Sequence, residues 1–188
     1  KALLKSAHVF NYLKHAEDYG LNKVENPGFD FTKVIQRSRG VATKMSGGIS
    51  FLMKKNKIDV LKGNGVIKAG KAVEVTDESG NKTTYTAAKG VIIATGSRSR
   101  QLPNLPQDGT KIIGYRQAMT LPTQPKKLVV VGSGAIGVEF AYFYNAIGTE
   151  VTVVEYLPNV VPIEDEDVSK QLEKSFKKAG INIMTNAS

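Results

Sequence analysis

The chain has 188 residues, 41% of them apolar, enough to bury the core of one large domain or two small ones, and no apolar run approaches the ~20 residues that span a bilayer. With no cysteine and only two histidines, a disulfide framework and a thiolate metal site are excluded and no metal centre is expected. The net charge of +9 resides in residues 1–100, with 18 Lys+Arg against 8 Asp+Glu, while residues 101–188 carry 8 against 9; its basic residues are scattered, without a dense run or interleaved aromatics, which describes solvated helix faces rather than a nucleic-acid surface.

The N-terminus carries no secretory signal, so the expected compartment is the cytoplasm. The chain opens inside a helical pattern, with Leu3, Leu4, Ala7, Phe10 and Leu13 on one face, no capping residue before Lys1 and no initiator Met, which points to a longer polypeptide. His8 and His15 are ordinary helix residues without a partner in sequence. Residues 20–28 are loop. A second helix follows Asp30, with Val34, Val41, Met45, Ile49 and Leu52 as inward positions and Gly47-Gly48 weakening it locally. The period then changes to that of strands, at residues 58–61, 65–68, 72–76, 83–86 and 90–94, with a turn at residues 77–81 closing a hairpin.

Residues 98–125 are polar, hold four of the seven prolines, and read as a crossing segment between two structural units. Beyond it, strands at residues 127–131, 151–155 and 181–184 alternate with helices at 135–147 and 168–179. Asp165, Glu166 and Asp167 precede the last helix and Lys174, Lys177 and Lys178 end it, complementing the helix dipole, with Gly180 as a C-cap.

Within this βαβαβ pattern lies Gly132-Ser133-Gly134-Ala135-Ile136-Gly137, a G-x-G-x-x-G turn between an apolar strand and an amphipathic helix whose Ile136, Phe140, Phe143 and Ile147 share a face. Gly132 allows the tight turn, Gly134 the approach of a pyrophosphate, and Gly137 close packing of helix on sheet. The anion would sit on the unpaired amides of the helix start. The second strand ends at Glu155, 23 residues after Gly132, close to the ~20 expected for a ribose-binding carboxylate. Such a carboxylate accepts hydrogen bonds from both ribose hydroxyls of NAD and repels the 2′-phosphate of NADP. Tyr156 and Leu157 follow where an NADP site would offer Arg or Lys. The predicted ligand is NAD(H). The strand before the turn, residues 128–131, is expected beside residues 151–154 in parallel, through a right-handed crossover.

These residues, with three further segments, resemble the pyridine nucleotide-disulfide oxidoreductases, most closely the branch that oxidises dihydrolipoamide. Lys1-Ala-Leu-Leu is similar to the sequence following that family's redox disulfide. Residues 43–56, with Gly47-Gly48-Ile49 and Phe51-Leu-Met-Lys-Lys-Asn, are similar to the long helix before its FAD-domain hairpin. Ile92-Ile-Ala-Thr95-Gly96-Ser97 resembles its A-T-G motif, and residues 130–141 and 151–167 its NAD domain.

The resemblance implies an α/β fold: a Rossmann-like NAD-binding βαβαβ unit (residues 126–188) preceded by part of an FAD-binding domain of helices and a small antiparallel sheet (residues 1–100), with residues 101–125 crossing between them. It implies Lys1, Gly65, Thr95, Gly96 and Ser97 beside FAD, and Glu139 as the ion-pair partner of Lys1. Gly132, Ser133, Gly134, Ala135, Ile136, Gly137, Glu139 and Glu155 would meet NAD. Ala135 stands where the glutathione-reductase branch has an aromatic gate, leaving a more open nicotinamide pocket. In the family, electrons pass from dihydrolipoamide to a disulfide, to FAD and to NAD, in a homodimer that serves the lipoyl-bearing component of a 2-oxoacid dehydrogenase complex. The redox cysteines, the first FAD-binding βαβ unit and the His–Glu base of the interface domain are not in this sequence, so no catalytic residue is assigned. The chain alone is expected to be inactive, an internal portion of such an enzyme. The alternatives are a portion of a mercuric or glutathione reductase-like branch, whose usual NADP preference Glu155 opposes, and a non-catalytic NAD-binding module.

Overall fold

The apolar spacing that opens the chain folds as helix α1 (Ala2–Lys14) in a computed structural model that describes residues 1–187. A 3-10 turn (Ala16–Tyr19) and the long helix α2 (Phe31–Lys55) follow, the latter started by Asp30, whose carboxylate accepts the Lys33 amide at 3.0 Å. Next come strands β1 (Asn64–Lys68), β2 (Ala72–Thr76) and β3 (Lys82–Thr86) and the short helix α3 (Tyr115–Ala118). The chain continues through β4 (Lys127–Val131), α4 (Ala135–Ala146), β5 (Glu150–Val154), α5 (Glu166–Lys178) and β6 (Asn182–Met184).

Two compact units result: Lys1–Ala42 together with the chain from Gln101 onward, and Thr43–Arg100. In the first, β4, β5 and β6 form a parallel sheet in that order, Leu128 pairing with Val151 and Val153 with Ile183. Strand alternation sends Leu128, Val130, Val151, Val153 and Ile183 to one face, where Ala141, Phe143, Tyr144 and Ile147 of the α4 segment and Phe176 of α5 complete the core. Val129 and Val131 point to the opposite, exposed face. Of the face expected on α4, Phe143 and Ile147 are buried and Phe140 packs against the core, whereas Ile136 is exposed. It occupies the first turn, ahead of the stretch that meets the sheet.

Leu3, Ala7 and Phe10 of α1 join this same core. Asn11 donates to the Tyr142 hydroxyl at 3.2 Å and Lys14 to the Ala146 carbonyl at 3.1 Å, fastening α1 along α4. The N-terminal segment therefore groups with the chain from Gln101 onward, whereas the sequence pattern had set residues 1–100 together. Linear order concealed this, because the apolar face of α1 finds its cover some 130 residues away. At the far end of the unit, the Asp165 carboxylate caps α5 through the Asp167 amide at 2.9 Å, and Gly180 leaves it at φ +82°.

The second unit is an antiparallel meander in the order β1-β2-β3, its β2–β3 turn closed by Asp77, which accepts the Ser79 and Asn81 amides at 2.9 Å. Three expectations fail here. Residues 58–61 and 90–94 form no strand: no strand among the described residues pairs with them, and without a ladder their apolar side chains stand in the open, Ile92 at 91% exposure. On α2 the stripe Val41, Met45, Ile49 and Leu52 is exposed rather than inward, Met45 at 66%. The side chains buried on this helix are Ile35 and Ser38, one turn earlier.

Candidate nucleotide-binding site

Strand β4 ends at Val131, and the chain must reverse at once into α4. Gly132 makes that reversal with φ +95°, a conformation that costs a side-chain-bearing residue, and its amide donates to the Val154 carbonyl at 2.8 Å. Gly134 starts α4 in an extended conformation with open space around its Cα. One turn on, a Cβ on Gly137 would collide with the Gly132 carbonyl oxygen and come within 3.3 Å of Val130 Cγ1, so only glycine lets helix and turn approach this closely. The first turn of α4 holds no acidic residue and no side-chain cap, leaving its amides free of intrahelical partners. An open glycine cradle at an uncapped helix start fits a pyrophosphate.

Glu155 follows β5 and lies beside this turn with 7% of its surface exposed. Its Oε2 accepts the Ser133 amide at 2.8 Å and the Ser133 hydroxyl at 2.6 Å, and its Oε1 accepts the Leu157 amide at 2.9 Å. Burial pushes its carboxyl pKa upward, but the donors from Leu157 and Ser133, with a lesser contribution from the Tyr156 amide, outweigh this and hold it below the ordinary glutamate value. The group is thus a charged, oriented acceptor. A carboxylate offers about four in-plane acceptor positions, and three are filled from within the chain, leaving one on Oε1. This departs from the expectation of a carboxylate free to accept both ribose hydroxyls.

Ser133 is fully buried and turned inward, its amide and hydroxyl both spent on Glu155, so neither is left for a phosphate. Its carbonyl and hydroxyl oxygens accept the Val161 amide at 3.1 and 3.2 Å. Sequence reasoning missed Val161, and no signal marked it: its φ is +42°, where a β-branched residue is an outlier. Ala135 and Ile136 are exposed at the mouth of the cradle, without an aromatic gate at Ala135.

Lys1 and Glu139 form an ion pair, both side chains partly or largely in solvent. The other residues expected beside flavin, Gly65 and Thr95-Gly96-Ser97, lie in the second unit and are exposed, while Lys1 belongs to the first. A Cβ at Gly65 would make only ordinary contact with Val73 Cγ1, at 3.5 Å, so no close approach requires glycine there. These residues do not by themselves fit FAD.

The family model described as pyridine nucleotide-disulphide oxidoreductase matches residues 1–188. The chain belongs to this family. Dihydrolipoyl dehydrogenase of Zymomonas mobilis is 46% identical over 187 residues, covering all of this chain and 40% of that protein; the enzyme of Chlorobaculum tepidum is likewise 46% identical, covering 39%. Among solved structures, the crystal structure of LpdA from Mycobacterium tuberculosis superposes with a TM-score of 0.85 at 29% identity, over 99% of this chain and 40% of that one. The chain thus spans about two fifths of the length of these relatives. The chain's own mixture of helices with a small antiparallel and a parallel sheet is the α/β arrangement expected from the sequence, and it is the part that superposes on LpdA.

Proposed function

We propose that this chain is the nucleotide-receiving section of a dihydrolipoyl dehydrogenase, and that its nucleotide is NAD(H). The observation that carries the choice is Glu155, a buried and charged carboxylate beside the glycine cradle, where the 2′-phosphate of NADP would meet like charge. Gly132, Gly134 and Gly137 would hold the pyrophosphate against the start of α4, and Glu155 would accept from the adenosine ribose. NAD held there would supply the hydride acceptor. Lys1 and Glu139, as a pair, would set the local charge on the exposed side of α4.

The full-length protein would carry the redox disulfide and FAD, work as a homodimer in the cytoplasm, and reoxidise the lipoyl-bearing component of a 2-oxoacid dehydrogenase complex. Similarity to dihydrolipoyl dehydrogenases over the entire chain supports this reading over a glutathione- or mercuric-reductase-like branch. Dihydrolipoamide-dependent formation of NADH by the full-length protein tests it. Turnover with NADP at least as efficient as with NAD would overturn the nucleotide assignment, and turnover of glutathione disulfide or mercuric ion in place of dihydrolipoamide would overturn the branch.

A further inference from the structure

The contacts made by Ser133 are not needed to bind a pyrophosphate, and their geometry asks for another role. Its hydroxyl has one proton, donated to Glu155 Oε2 at 2.6 Å, a short charge-assisted bond. Its amide reinforces the same oxygen at 2.8 Å. The hydroxyl is held from behind by the Val161 amide at 3.2 Å, which also reaches the Ser133 carbonyl at 3.1 Å, while the Val161 carbonyl accepts the buried Ser169 hydroxyl at 3.4 Å. Ser133 alone therefore holds Oε2, and it is itself held by Val161 of the loop after β5, which in turn accepts from Ser169 of α5. The opposite oxygen accepts the Leu157 amide at 2.9 Å, and the Tyr156 amide adds a weaker pull on the carboxylate.

We propose that Ser133 is a positioning residue for nucleotide choice: by occupying Oε2 of Glu155 it presents Oε1, with one open acceptor position, to a single hydroxyl of the adenosine ribose. A glutamate side chain has three rotatable bonds, and without such a clamp its two oxygens exchange places and lose orientation. Ser133 thus acts through Glu155 and touches no part of the nucleotide with its side chain. The inference rests on Glu155 being the ribose carboxylate.

The test measures dissociation constants on the full-length protein for NADH, NADPH and NADH analogues lacking the 2′- or the 3′-hydroxyl of the adenosine ribose. The variants are Ser133→Ala, Ser133→Thr, Glu155→Gln and the combination of Ser133→Ala with Glu155→Gln, each measured from neutral to acid pH. The wild type should lose about 10-fold with one analogue and little with the other, a single hydrogen bond to a charged group. Ser133→Ala should weaken NADH by about the same factor and erase the difference between the analogues. It should also move the acid-side loss of NADH affinity to higher pH, because one donor to the carboxylate has gone. Ser133→Thr should restore the wild-type pattern, and in the Glu155→Gln background the alanine should add nothing.

A Ser133→Ala protein that keeps the difference between the analogues, or that weakens NADH equally with and without the glutamate, would overturn the proposal while leaving Glu155 as the ribose residue. If Glu155→Gln itself leaves the ratio of NADH to NADPH affinity unchanged, the ribose assignment falls and the positioning role falls with it.

Discussion

Gly137 stands so close to Gly132 that the one missing Cβ is what allows helix α4 to begin where it does. Gly137→Ala would drive that carbon into a backbone carbonyl, which cannot swing aside as a side chain end could. A loss of about 2–3 kcal/mol of folding stability is expected, the upper range for overpacking, together with weaker binding of both NADH and NADPH. Denaturant unfolding of the variant measures the first and titration with each nucleotide the second. An alanine tolerated without loss would mean that turn and helix can part at no cost.

Nucleotide choice should follow Glu155. A carboxylate set against a 2′-phosphate costs a like-charge contact and forfeits a hydroxyl hydrogen bond, together on the order of 2–4 kcal/mol, or ~30- to 1,000-fold in affinity. Glu155→Ala should erode the preference for NADH in the full-length protein, and an arginine added nearby should move it toward NADPH. Steady-state kinetics with both nucleotides give the ratio directly.

Acid should loosen this region in a definite direction. Because the Glu155 carboxyl is held below its ordinary value when folded, its contribution to stability is present above that ordinary value and is lost as pH falls through the lower folded one. Stability measured against pH should therefore decline less steeply in Glu155→Gln than in the wild type on the acid side. An identical slope in the two proteins would show that the carboxylate is not paired as described.

Tyr144 is fully buried, its hydroxyl pKa pushed up to about 12 by burial, and the hydroxyl donates to the Ala118 carbonyl at 2.6 Å. Tyr144→Phe keeps the ring contacts with Phe140 and Phe143 and removes only this bond. The expected loss is about 1–2 kcal/mol, the range for leaving one acceptor without its donor, read from denaturant unfolding.

Flavin affords a separate check. Of the residues expected to line FAD, Gly65, Thr95, Gly96 and Ser97 are exposed and Gly65 has no close approach that requires glycine, so the 188-residue chain mixed with FAD and desalted should be colourless. Retention of stoichiometric yellow flavin would show that these residues suffice.

What the sequence disclosed best was periodic and local. The strand-turn-helix-strand order from β4 to β5, the hairpin turn at Asp77 and the capping of α5 each depend on residues a few positions apart. The hidden parts depend on what lies opposite. Residues 90–94 have the composition of a strand but no ladder among the described residues, and Met45 and Ile49 have helical spacing but no cover. In the site, glycine spacing marked the cradle, and the distance from Gly132 to Glu155 marked the carboxylate. The inward turn of Ser133 was not legible, since the motif leaves that position open. Val161 was hidden more deeply, for its left-handed backbone runs against the preference of its own side chain.

The docking of α1 on α4 also sets a timetable. The parallel pairs Lys127 with Glu150 and Thr152 with Asn182 close short loops, so the glycine turn can assemble almost as soon as it is synthesised. Asn11 and Tyr142, by contrast, are 131 residues apart. At about 5–20 residues per second, α1 waits roughly 7–26 s on the ribosome before its partner helix exists. Throughout that interval Leu3, Ala7 and Phe10 lack the cover that α4 will give them, so the pairing of α1 with α4 is set late in synthesis.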